Sequence, residues 1–132
     1  MTPANGTFEV KLTPLAAYNT DDTSAGRLSI DKQFHGDLEA TSRGEMLSAG
    51  TSVKGSAGYV AIERVTGALR GRRGTFALQH SGTMTRGAPQ LVITVVPDSG
   101  TADLTGIAGT MTIEIANGKH SYRLDYTLAG AP

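Results

Sequence analysis

The chain predicts an all-β fold: a closed antiparallel up-and-down β-barrel of about eight strands, built as one domain over residues 1–132. Three observations predict it. Short stretches of two-residue alternation recur along the whole chain, and no 3.6-residue period appears anywhere. Glycine, at 17 residues, punctuates those stretches at short intervals, which favours sequential hairpins. Finally, a meander of this many strands leaves two long edges open to other chains unless the sheet closes on itself. A two-sheet sandwich is the rival arrangement.

The first strand is Phe8 to Leu12, with Phe8, Val10 and Leu12 on one face. Residues Pro14 to Gly26 are polar and aperiodic, and Asn19-Thr20-Asp21-Asp22-Thr23-Ser24 reads as a loop. The second strand runs from Arg27 to His35 and aligns Leu28, Ile30 and Phe34 before a tight turn at Gly36. The third runs from Asp37 to Ala49, and Gly44 within it suggests a bulge. A second loop covers Gly50 to Gly58. Strand four is Tyr59 to Leu69 and strand five Thr75 to Thr85, joined by a hairpin around Gly71 and Gly74. After a turn at Arg86-Gly87-Ala88-Pro89, strand six is Leu91 to Val96. It is apolar on both faces, which predicts burial by the barrel interior on one side and by a subunit neighbour on the other, hence a homo-oligomer. Strand seven is Ile107 to Ala116, and Asn117-Gly118 is a strong hairpin turn. It leads into the cleanest alternation of all, in which Tyr122, Leu124, Tyr126 and Leu128 share a face.

Acidic and basic residues balance at 12 each, so the chain lacks the long-range field that gathers nucleic acid or an anionic membrane. The one basic run, Arg70-Gly71-Arg72-Arg73, reads as a solvated hairpin tip. There is no cysteine, which excludes disulfide and thiolate chemistry. The first six residues lack the pattern of a signal peptide and no apolar stretch approaches membrane-spanning length, so a cytoplasmic protein is expected. His35, His80 and His120 lie on separate strands without a His-x-His pair, so neither a metal site nor a cofactor is expected.

Several segments resemble the bacterial DUF3224 family, a family of unknown function. They include Phe34-His35-Gly36-Asp37-Leu38-Glu39, Ile62-Glu63-Arg64-Val65-Thr66-Gly67, Leu78-Gln79-His80-Ser81-Gly82-Thr83, Val95-Val96-Pro97-Asp98-Ser99-Gly100-Thr101 and Tyr122-Arg123-Leu124-Asp125-Tyr126. Together with Gly6-Thr7-Phe8-Glu9-Val10 and Leu104-Thr105-Gly106-Ile107-Ala108-Gly109 they span nearly the whole chain in family order. The resemblance implies a barrel like that of allene oxide cyclase and the dirigent proteins. It implies no reaction, because a fold does not fix a chemistry.

The candidate site residues follow from facing. His80 ends an apolar row with Phe76 and Leu78, and imidazole is the side chain suited to proton transfer near neutral pH. Tyr122 and Tyr126 offer phenolic donors to a ligand. On strand four, Tyr59 and Glu63 share one face and Arg64 sits on the other, so alternation leaves open which charge is inside. Whichever it is needs a partner, because an unpaired buried charge is expensive; His80 or Tyr126 would serve. The catalytic candidates are therefore His80, Glu63 and Tyr126, and the ligand-binding candidates Arg64, Phe76, Leu78, Tyr122 and Tyr59.

Three functions fit. One is a barrel holding a small, largely apolar molecule. Another is a cofactor-independent isomerase, cyclase or proton-abstracting enzyme, with His80 or a buried carboxylate as base. The third is an assembly protein whose barrel is filled solid.

Overall fold

Because each apolar row must face inward, every alternating stretch becomes a strand, and each strand pairs antiparallel with the one before it. The computed structural model describes residues 1–19, 21 and 23–128; Thr20 and Asp22 of the expected loop lie outside them. The strands are β1 (Thr2–Pro14), β2 (Ala25–Gly36), β3 (Leu38–Gly50), β4 (Ala57–Leu69), β5 (Arg72–Thr85), β6 (Ala88–Val95), β7 (Ala108–Ala116) and β8 (Lys119–Thr127). One turn of 3-10 helix, Ala102–Leu104, interrupts the β6–β7 connection. The order is β1 through β8, and β8 returns to pair with β1 from Tyr126↔Thr2 to His120↔Phe8. That closure explains why β1 starts at Thr2 rather than Phe8: its first half is held by a strand more than a hundred residues away. No helix among the described residues is long and apolar enough to cross a membrane.

Two local expectations meet different outcomes. Asn117 and Gly118 both have positive φ, 52° and 76°, as a two-residue hairpin between twisted strands requires. Gly44 is not a bulge. Its pairings to Ile30 and Glu63 lie in unbroken registers on both sides. Glycine is needed there for space, since a Cβ would stand 2.6 Å from the Glu63 Cα.

The interior changes along the barrel axis. One end is a packed apolar core in which Phe34, Leu38, Leu69, Phe76, Leu78 and Leu124 are fully buried. The β6–β7 connection plugs this end with Leu104 and Ile107. The Pro97–Thr101 segment fastens that plug. Once β6 ends, Ser99 Oγ accepts from the Ala77 N–H at 3.0 Å and Thr101 Oγ1 accepts from the Thr75 N–H at 3.0 Å. Toward the other end the inward rows become progressively exposed: Phe8, Val10, Leu12 along β1, and Ile93, Leu91 along β6. This end is the mouth.

The outer wall is uneven as well. On β7, β8 and β1 its residues are polar, including Thr112, Glu114, Ser121, Arg123, Glu9 and Lys11. Across β3, β4 and β6 the outward side chains Leu47, Val60, Ile62 and Val92 are apolar, each 48–56% exposed. On β6, Ile93 and Val95 are buried inward, while Val92 faces out without cover.

Candidate functional site

Between the packed end and the mouth lies a charged cluster. Register places it: Glu63 and His80 are on the inward rows of β4 and β5, with Ala61 opposite His80, and Lys32 pairs with Ser42 on the inward rows of β2 and β3. The Glu63 side chain has no exposed surface. Its Oε1 accepts from Ser42 Oγ at 2.7 Å, and its Oε2 accepts from Lys32 Nζ at 2.8 Å and from His80 Nε2 at 2.6 Å. Lys32 Nζ also lies over the rings of Phe8 and Phe34, 4.9 and 5.7 Å from their centroids. Burial alone would push the Glu63 carboxyl up. The His80 hydrogen bond, the Lys32 charge and hydrogen bond and the Ser42 hydroxyl together outweigh burial and hold it at about 2. The carboxylate is therefore ionised at neutral pH, and the cluster leaves none of its buried polar side-chain atoms without a partner.

Because an ionised carboxylate can only accept, His80 Nε2 carries the proton. Its other nitrogen, Nδ1, faces the Tyr59 hydroxyl at 3.3 Å. Tyr59 is half-buried, nearer the mouth, and pairs with Gly82. That glycine makes the arrangement possible: a Cβ there would sit 2.5 Å from the Tyr59 ring. Burial first, and then the Glu63 charge, push the Tyr59 phenol up, so it remains a proton donor. The result is a chain from mouth to interior: Tyr59 hydroxyl, His80 imidazole, Glu63 carboxylate, Lys32 ammonium.

The family profile described as "Protein of unknown function (DUF3224)" matches residues 4–126. The chain belongs to the DUF3224 family. A crystal structure of a DUF3224 protein of unknown function from Shewanella oneidensis MR-1 is 55% identical, covers 99% of this chain and 99% of its own, and superposes with a TM-score of 0.94. No curated protein matches. This DUF3224 chain forms a closed, eight-stranded barrel. Its likeness to allene oxide cyclase is a separate statement, made by neither comparison.

Within this DUF3224 barrel the sequence-derived candidates separate. Glu63, His80 and Tyr59 come together, and Glu63 is the inward charge of strand four. Arg64, a ligand-binding candidate whose side alternation left open, faces outward and is exposed: a one-residue step along a strand reverses the face. Tyr126 does not join the cluster. It packs against the core beyond Leu124, where β8 meets Thr2 and Gly109. Phe76 and Leu78 are fully buried core, so they form wall rather than ligand surface. The Tyr122 hydroxyl is already committed, accepting from the Leu38 N–H at 2.9 Å and donating to the His35 carbonyl at 3.0 Å. It ties β8 to the β2–β3 turn instead of reaching a ligand.

Two members were missed from the sequence, Lys32 and Ser42. Both sit in inward rows, Lys32 between Ile30 and Phe34 and Ser42 two residues past Ala40. A lysine interrupting an apolar row was the available signal. The other two histidines stay apart: His35 bonds Glu9 at 2.9 Å on the surface, and His120 packs on Phe8 with ring centroids 5.1 Å apart. Among the described residues no three potential metal ligands cluster. A surface recess of about 750 Å³ is not in the lumen. It lies on the outer wall of β3–β5, lined by residues including Arg43, Leu47, Val60, Ile62 and Arg64.

Proposed function

We propose that this DUF3224 barrel holds a small, largely apolar molecule in its mouth, with the Tyr59 hydroxyl, backed by His80, fixing a polar group on it. The observation that carries the reading is the exposure of inward-facing apolar side chains at the mouth. Leu12, Met84 and Leu91 are 45%, 43% and 39% exposed, while deeper on the same rows of β5 and β6 His80, past Gly82, and Ile93, next after Leu91, are 4% and 1%. Apolar surface left wet gains about 25 cal/mol per Å² when an apolar guest covers it. One polar group among apolar walls is the usual composition of such a site. The packed core below the charged cluster limits the guest to the mouth.

A second reading, a proton-abstracting enzyme, is favoured by the orientation of His80. Glu63 fixes the imidazole with Nδ1 toward Tyr59, the arrangement in which a carboxylate positions a histidine. A proton taken by Tyr59 oxygen from the carbon next to a carbonyl would accompany transfer of the phenolic proton to His80 Nδ1. The imidazolium so formed is neutralised by Glu63, and the electron pair of the C–H bond passes to the carbonyl oxygen as enolate.

The probe is 2-tetralone, a small aromatic ketone. Titration followed by methyl-resolved NMR is expected to shift Leu12, Leu28 and Met46 and leave Leu38, Leu69 and Leu124 unmoved. Shifts confined to Leu47, Val60 and Ile62 on the outer wall would sink the binding reading. Exchange of the ketone's α-hydrogens for deuterium above the buffer rate, lost in Tyr59→Phe, supports the enzymatic reading; no exchange removes it while leaving binding intact. Tyr59→Phe is a better probe than His80→Ala, because His80 is built into a buried network and its removal lowers stability under any role.

A further inference from the structure

We infer that the guest of the mouth, on the binding reading proposed above, is a hydrogen-bond donor: a small apolar alcohol or phenol, not a ketone, ester or ether. The polarity of the site follows from placing protons outward from Glu63. Its Oε2 already accepts from Lys32 Nζ, which can only donate, and lies 2.6 Å from His80 Nε2. The imidazole proton therefore sits on Nε2. A second proton, on Nδ1, would make His80 a cation. The one carboxylate of the cluster already faces the Lys32 ammonium, so that added charge would stand buried and uncompensated. Nδ1 is thus a bare acceptor.

His80 is 4% exposed, and among the described residues the Tyr59 hydroxyl, at 3.3 Å, is the hydrogen-bond partner of Nδ1. Turning the phenolic proton elsewhere would leave Nδ1 buried and unsatisfied. A phenol has one proton, so Tyr59 directs it inward and turns only oxygen lone pairs to the mouth. A carbonyl or ether oxygen placed there loses its water and finds no donor in Tyr59. A hydroxyl donates to Tyr59 and extends the chain, guest to Tyr59 to His80 to Glu63, with every hydrogen bond running the same way. An ammonium would also donate. The inward residues around the mouth, Leu12, Leu28, Met46, Ser48, Met84 and Leu91, include no carboxylate to balance it.

The test pairs 2-tetralol with 2-tetralone, which share a skeleton and differ in the proton on oxygen. Both are expected to shift the methyls of Leu12, Leu28 and Met46, the alcohol with a dissociation constant about 10-fold lower. In Tyr59→Phe, which keeps the ring and removes the acceptor, the two are expected to bind within about two-fold of each other. Long-range ¹H–¹⁵N spectra of the free chain are expected to show His80 Nδ1 unprotonated. A proton on Nδ1 overturns the donor assignment. So does a ketone that binds as tightly as the alcohol, the result expected if Ser48 rather than Tyr59 faced the guest, or an alcohol preference that survives Tyr59→Phe. Each of these leaves binding at the mouth standing. Failure of both probes to move those methyls overturns the binding reading, and the donor assignment with it.

Discussion

The two ends of the barrel are made from the same strands and differ in what those strands turn inward. At the packed end, Phe34, Leu38, Phe76 and Leu124 interlock and the Leu104–Ile107 plug covers them. Toward the mouth the same inward rows carry Lys32, Ser42, Glu63 and His80, and above them apolar side chains that water still reaches. The packed end is held by burial, which is nearly indifferent to pH. The middle is held by one carboxylate serving three partners, and is as strong as the ionisation of that carboxylate. The difference teaches that a barrel can seal one end with its stability while keeping chemically demanding groups in the other half.

Four experiments test that contrast. The largest effects come from removing the centre of each region. Phe76→Ala and Glu63→Ala are each expected to cost about 3–5 kcal/mol, the first by leaving a cavity and the second by stranding the Lys32 ammonium. Urea unfolding at several pH values separates them, because the cost of Phe76→Ala stays constant while that of Glu63→Ala shrinks toward pH 2.

Next in size is the pH dependence of the native chain. Glu63 is held at about 2 against an ordinary value of 4.5, so its contribution is fully present above about pH 4.5 and is lost as the pH falls through 2. The loss is about 3 kcal/mol over that window. Glu63→Gln should flatten the profile there, and a variant that keeps the full acid slope would show that other carboxylates carry it.

A matched pair of leucines measures the two ends directly. Leu38→Ala at the packed end is expected to cost about 2–5 kcal/mol, and Leu12→Ala at the mouth about 1 kcal/mol or less, since Leu12 is already half in water. Equal costs in chemical denaturation would mean that the mouth is packed in solution. A single hydrogen bond is tested by Ser42→Ala. It removes one hydrogen bond to Glu63 and is expected to cost about 1–2 kcal/mol, with the Glu63 ¹³C-detected titration moving upward.

The sequence by itself determined the strands, which residues share a face on each, and most of the turns, because a period of two and the turn chemistry of pairs such as Asn117-Gly118 are local properties of the chain. It also placed His80, Glu63 and Tyr59 on inward-capable rows. Tertiary structure decided the rest. Closure of β8 onto β1 set the length of the first strand. Register between β2, β3, β4 and β5 chose Glu63 over Arg64 as the buried charge and brought Lys32 from more than thirty residues away to neutralise it. The same assembly set Tyr126 apart from His80 and used the Tyr122 hydroxyl as a structural tie. Alternation along a strand says which residues share a face. Only the pairing of distant strands says which face is enclosed, and at what depth two side chains meet.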